Sequence, residues 1–95
     1  MNRGYTQAVP LGYQQIVAPA VATGLTIPAG AVFARVIPET QAVRFRDDGT
    51  APTAAVGMPI AVGAYYDLDG NLAKYQFIQQ AVSATLNVVY YGTPL

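Results

Sequence analysis

Glycine and proline break this chain at short, recurrent intervals: Gly24, Pro28, Gly30, Pro38, Gly49, Pro52, Gly57, Pro59, Gly63, Gly70 and Gly92. In a helix interior Gly costs about 1 kcal/mol and Pro about 3 kcal/mol relative to Ala. No window after residue 20 therefore sustains a convincing helical stripe. The runs between the breakers are short and rich in Val, Tyr, Phe and Thr, the pattern of an all-β sandwich or barrel.

The strands predicted are Gly24–Ile27, Val32–Ile37, Ala42–Arg46, Ile60–Val62, Ala64–Leu68, Tyr75–Gln79 and Thr85–Tyr91. In Ala42–Arg46, Val43 and Phe45 face one way and Arg44 and Arg46 the other, a half-buried pattern. In the last strand Leu86, Val88 and Tyr90 share one face and Asn87, Val89 and Tyr91 the other. That strand is apolar on nearly both sides, so it is expected to be central or covered by another subunit. Tyr65 to Leu72 predicts a hairpin with its tight turn near Asp69-Gly70-Asn71, and Asp47 to Thr53 a looser connection between two other strands. Leu72 to Ala84 tolerates either helix or strand; a strand, a short bulge and another strand is the preferred reading.

Residues 1–20 differ. They carry one charge, Arg3, and no clear period, yet hold Tyr5, Val9, Leu11, Tyr13, Ile16 and Val17. A disordered tail is normally charged and poor in large apolar groups, so this segment reads as an extended N-terminal arm ordered on a neighbouring surface. A flexible terminus is the plainer alternative. The expected organisation is an arm over 1–20 and one β domain, sandwich or jelly-roll-like, over 21–95.

Composition limits function. The 95 residues hold five Lys and Arg, five Asp and Glu, and no His, Cys or Trp. Charged residues make up 11%, against about 25% in ordinary soluble domains. Disulfides, thiolate sites and most zinc or copper ligand sets are excluded, and no cofactor is expected. Zero net charge provides no phosphate-seeking field, so nucleic-acid binding is unsupported. The uncharged stretch from Gly4 to Ala34 is interrupted by Gln, Pro and Gly and does not resemble a membrane span. Met1 to Tyr5 holds no hydrophobic signal core.

Four of the five acids, Asp47, Asp48, Asp67 and Asp69, fall in or beside candidate turns, where Asp commonly bonds its own backbone; Glu39 is the fifth. No facing carboxylate pair is predicted, so the chain reads as a non-enzyme. Asp67-x-Asp69-Gly70-Asn71 matches part of a calcium loop, but Leu72 and Ile78 occupy the positions where the EF-hand needs Gly and Glu; a hairpin turn accounts for it. Arg35, Arg44 and Arg46 are read as close together on adjacent strands near Asp47 and Asp48. They would fix register at a subunit contact, form a solvated ion-pair ladder, or, least favoured, bind phosphate. The doublets Tyr65-Tyr66 and Tyr90-Tyr91 must each send one ring to either face, which leaves amphipathic rings outside, suited to an interface or to sugar stacking.

Two blocks carry a family resemblance. Val43-Arg44-Phe45-Arg46-Asp47-Asp48-Gly49-Thr50-Ala51-Pro52-Thr53-Ala54-Ala55-Val56-Gly57-Met58-Pro59-Ile60 resembles a motif of small virion structural proteins of tailed bacteriophages and prophages, in which an arginine-aspartate-aspartate-glycine turn leads into a valine-glycine-methionine-proline segment. The segment from Tyr75 to Tyr91 is similar to the closing strands of that family, and Leu25 to Ala31 to its opening turn. The resemblance implies a virion protein assembled in the bacterial host cytoplasm. Its expected role is head decoration or cement, bridging major capsid protein subunits, with self-association as a dimer or trimer. A head-fibre, spike-base or tail component forming a homotrimer is the alternative, and a carbohydrate-binding module for host attachment a further one. The interface residues expected are Tyr5, Leu11, Tyr13, Ile16, Arg35, Arg44, Arg46, Tyr66 and Tyr91.

Overall fold

The computed structural model describes residues 8–93. Eight strands follow in order: β1 (Val9–Val17), β2 (Thr23–Gly24), β3 (Ala31–Glu39), β4 (Val43–Arg46), β5 (Met58–Ile60), β6 (Tyr66–Leu68), β7 (Gln76–Gln79) and β8 (Thr85–Gly92). They couple antiparallel as β1–β8, β2–β7, β3–β6 and β4–β5. One long hairpin, β1 to β4 out and β5 to β8 back, is thereby rolled up. Further pairing of β3 with β8 and β4 with β7 closes two four-stranded sheets, ordered β1-β8-β3-β6 and β2-β7-β4-β5. The result is a small β-sandwich with jelly-roll connectivity. Among the described residues no helix is long and apolar enough to cross a membrane.

Alternation places the core. The first sheet turns Ala34, Val36, Leu86, Val88 and Tyr90 inward, and the second turns in Val43, Phe45, Ile60 and Phe77. Phe45 sits at the middle of an aromatic group, with ring centroids 4.9 Å from Tyr66, 5.8 Å from Tyr75 and 5.8 Å from Phe77. Such offset and tilted pairs add to plain area burial. β8 is central, as its two apolar faces require, between β1 and β3.

Three expectations change. First, residues 9–17 are not an arm laid on a neighbour: they form β1, an edge strand of the chain's own sheet, in register from Gly12↔Tyr90 to Val17↔Thr85. The reason lies in β8, whose second ladder of backbone groups needs a partner, and in Ile16, which is only 6% exposed in the core. The β domain therefore begins ahead of residue 21. Tyr5 lies outside the described residues. Second, Tyr65 to Leu72 is not a hairpin, because β6 and β7 belong to different sheets. Gly70, at φ +75°, turns the chain, and the Asn71 side chain accepts from the Ala73 amide to cap a single 3-10 turn, Leu72–Lys74. Leu72 drops into the core there and carries the chain from one sheet to the other. Third, the expected arginine cluster is divided. Arg35 lies on β3 of the first sheet, whereas Arg44 and Arg46 lie on β4 of the second. Each alternates with buried neighbours, so Arg35 and the other two point from opposite outer faces of the sandwich.

Candidate interaction surface

The outer face of the first sheet gathers the side chains that β1, β8, β3 and β6 turn away from the core. The registers set them in rows: Tyr91 beside Phe33; Tyr13, Val89, Arg35 and Asp67; Gln15, Asn87 and Ile37; and Val17, Thr85 and Glu39. The Phe33 and Tyr91 rings stack with centroids 4.9 Å apart and planes 18° apart. A shallow depression between Ala8, Phe33, Arg35 and Tyr91 adjoins them.

The two charges in the middle of this face satisfy each other. Arg35 grips Asp67 with both prongs, Nε to Oδ1 at 2.7 Å and Nη2 to Oδ2 at 3.1 Å. The Arg35 guanidinium carbon also lies 4.1 Å from the Tyr65 ring centroid, a cation–π geometry. A bidentate pair hydrogen-bonded in this way exposes little net charge. Val89 and Ile37 flank it, and Tyr13 and Tyr65 are 62% and 60% exposed at its margins.

Asn87 organises the remaining polar groups. Its Oδ1 accepts from the Tyr13 hydroxyl and from Gln15 Nε2 at 3.1 Å, and its Nδ2 donates to Glu39 Oε1 at 2.9 Å. An asparagine in the middle of an otherwise apolar strand thus ties three strands together. Alternation in Thr85–Gly92 places Asn87 on this face; the three-strand network it makes needed the fold.

The structure sorts the expected contact residues. Tyr13, Arg35 and Tyr91 share this face. Leu11 occupies the irregularity between Pro10 and Gly12; its side chain reaches towards Gly92 while remaining partly exposed. Ile16 is core and cannot meet a partner. Of the first tyrosine doublet Tyr65 is the outward ring; Tyr66, although 42% exposed, lies on the Phe45 side. The sequence reading did not single out Phe33, Val89, Ile37 or Asn87.

Part of the second sheet's outer face is crossed by its own chain. Arg44 donates through Nε to Ala54 O at 3.1 Å and through Nη1 to Gly57 O at 2.8 Å, pinning the β4–β5 connection across it. Arg46 forms a bidentate pair with Asp48, at 3.2 and 2.6 Å. The hydrogen bond from Arg46, reinforced by the Thr50 amide, holds the Asp48 carboxyl below its ordinary value. Among the described residues no three His, Cys, Asp or Glu side chains assemble into a metal-binding group. Glu39, Asp48 and Asp67 are each engaged in the separate interactions above.

Comparison with family models, with curated proteins and with solved structures returned no match.

Proposed function

We propose that this chain is a non-catalytic structural protein of a tailed-phage particle, attached to the major capsid protein lattice through the outer face of its first sheet. The observation that carries the docking reading is that face itself: a stacked Phe33–Tyr91 pair, flanking Val89 and Ile37, and an Arg35–Asp67 pair that is already mutually satisfied. Interfaces are built around aromatic residues and Arg with few unpaired charges. The low charge of the chain supports the same reading, since near-zero net charge favours association over repulsion. Head decoration rests on the sequence resemblance. Jelly rolls occur in capsid and lectin domains alike, so the fold is compatible with the role by analogy only.

The exposed rings of Tyr13 and Tyr65 favour a second reading, stacking of sugars in host attachment. One experiment separates them. Shells stripped of the native copy are mixed with wild type or with Phe33→Ser and Val89→Lys variants whose fold is checked by circular dichroism. The docking reading expects wild type to co-sediment and each variant to lose at least about tenfold in affinity, the effect of removing one interface anchor. Binding unaffected by either variant, or binding to glycans and not to shells, rejects it.

A further inference from the structure

Three of the four sheet edges are blunted. β6 and β5 are three residues long, β6 carrying Asp67 and β5 Pro59, and β2 is two residues long. Short strands, charge and proline are the usual means of preventing edge-to-edge pairing. β1 is different: nine residues, Val9–Val17, without a charge. Its proline and its irregularity lie at the Pro10–Gly12 end and leave Tyr13 to Val17 regular.

The ladder shows which backbone groups point out. The Ala18 amide donates to the carbonyl of Ala84, the residue directly opposite it in the β1–β8 register. Opposed pairs that exchange bonds alternate with pairs that do not. Ile16, Gln14 and Gly12 therefore turn their amides and carbonyls towards β8, and Tyr13, Gln15 and Val17 turn theirs to the open edge. Among the described residues these three have no backbone partner on that side. Their side chains do not cover it: Tyr13 and Gln15 lean across the sheet to Asn87. Thr26 meets β1 through the inward side chain of Gln14.

We infer that β1 is a self-pairing edge, and that two copies join antiparallel through Tyr13, Gln15 and Val17 about a two-fold axis at Gln15, making one eight-stranded sheet. In that register Gln15 lies opposite the second copy's Gln15, and Tyr13 opposite the second copy's Val17. Tyr13 and Val17 are the two most exposed large apolar side chains on β1, at 62% and 67%. The two-fold sets aromatic against β-branched, a favourable cross-strand combination. Six backbone hydrogen bonds form across the axis, and no like charges meet because β1 has none. A heterologous strand would gain the same backbone bonds; self-pairing is preferred because the edge is complementary to itself at all three positions. The backbone bonds of this contact use the edge. The side chains of Tyr13, Gln15 and Val17 lie on the rim of the docking face but are not its anchors Phe33, Tyr91 and Val89, so the two contacts are tested by different variants.

The test is the mass of the full chain in solution, by analytical ultracentrifugation from micromolar to about 1 mM, the range of weak pairing. Wild type is expected to dimerise with concentration, with slowed amide exchange at Tyr13, Gln15 and Val17. Gln15→Lys and Gln15→Glu each place like charges across the axis and are expected to raise the dissociation constant at least tenfold. An equimolar mixture of the two is expected to restore the dimer as a heterodimer, and circular dichroism verifies that each variant is folded. A wild type monomeric to 1 mM overturns the inference. So does a dimer indifferent to both variants, or one broken by them and not restored by mixing.

Discussion

The Tyr90 hydroxyl donates to Gln14 Oε1 across the β1–β8 ladder at 2.5 Å, and the same amide oxygen accepts from the Thr26 backbone at 3.0 Å. Gln14 Nε2 returns a bond to Thr26 Oγ1 at 3.3 Å. One glutamine thus joins the edge strand, the central strand and the segment after β2. Gln14→Ala is expected to leave the Tyr90 hydroxyl and the Thr26 amide short of a partner, costing about 1–3 kcal/mol. Denaturant unfolding measures it.

Burial pushes the Tyr90 hydroxyl up to about 12, because the ring is enclosed where a phenolate would lack water. A raised value means that the stabilisation is complete below the unfolded tyrosine value of about 10 and is lost as pH climbs through the folded one. Stability is therefore expected to fall between pH 10 and 12, by on the order of 2 kcal/mol. Tyr75 is also raised, chiefly by burial and then by Asp47, and adds to the fall. Tyr90→Phe removes the larger part of the slope; an unaltered pH profile in that variant counts against the assignment.

Arg44 and Arg46 are two residues apart on one strand and are expected to behave differently. Arg44→Ala releases the carbonyls of Ala54 and Gly57 and is expected to speed hydrogen exchange and proteolysis between residues 47 and 57, with a cost of about 1–2 kcal/mol. Arg46→Ala removes an exposed ion pair with Asp48, and such pairs contribute little. No resolvable change in its unfolding midpoint is expected.

A methyl group added at Gly92 would lie 2.8 Å from the Gly30 carbonyl oxygen and 2.8 Å from Leu11 Cδ1. The leucine can turn aside; the carbonyl is backbone and cannot without moving the loop. Gly92→Ala is expected to cost about 1–3 kcal/mol, the usual range for overpacking, and Leu11→Ala should not rescue it. Thermal unfolding of the single and double variants decides.

Thr40 follows β3 with φ +78°, a conformation that a β-branched residue adopts only under strain. Thr40→Gly is expected to stabilise by about 0.5–1 kcal/mol, since relief of the left-handed strain exceeds the entropy lost by glycine. A lowered unfolding midpoint would contradict this.

Where the local pattern followed burial, the strands were legible. Val43, Arg44, Phe45 and Arg46 alternate as read, and Leu86, Val88 and Tyr90 share one face as read, which the structure shows to be the inward one. β1 was not, because its pattern is inverted: Gly12 and Gln14 face the core beside Ile16, whereas Tyr13 and Val17 face out. That arrangement suppresses the period-two signal on which strand recognition depends. Asp69-Gly70-Asn71 has true turn chemistry, yet a turn does not determine whether its flanking strands pair. Their partners are fixed by contacts from distant segments, and the same non-locality separated Arg35 from Arg44 and Arg46. The outer face of the first sheet was legible only in part, through the tyrosine doublets; assembling Phe33, Val89 and Asn87 beside them required the sheet order.

Because β8 fills the gap between β1 and β3, the strand that leaves the ribosome last among the eight is the one the first sheet cannot do without. The hydrogen bond between Tyr13 and Asn87, 74 residues downstream, forms only once β8 is in place. Until β8 arrives, β1 and the β8-facing side of β3 are unmatched, and closing that sheet requires pairing across long sequence separations, which is intrinsically slow.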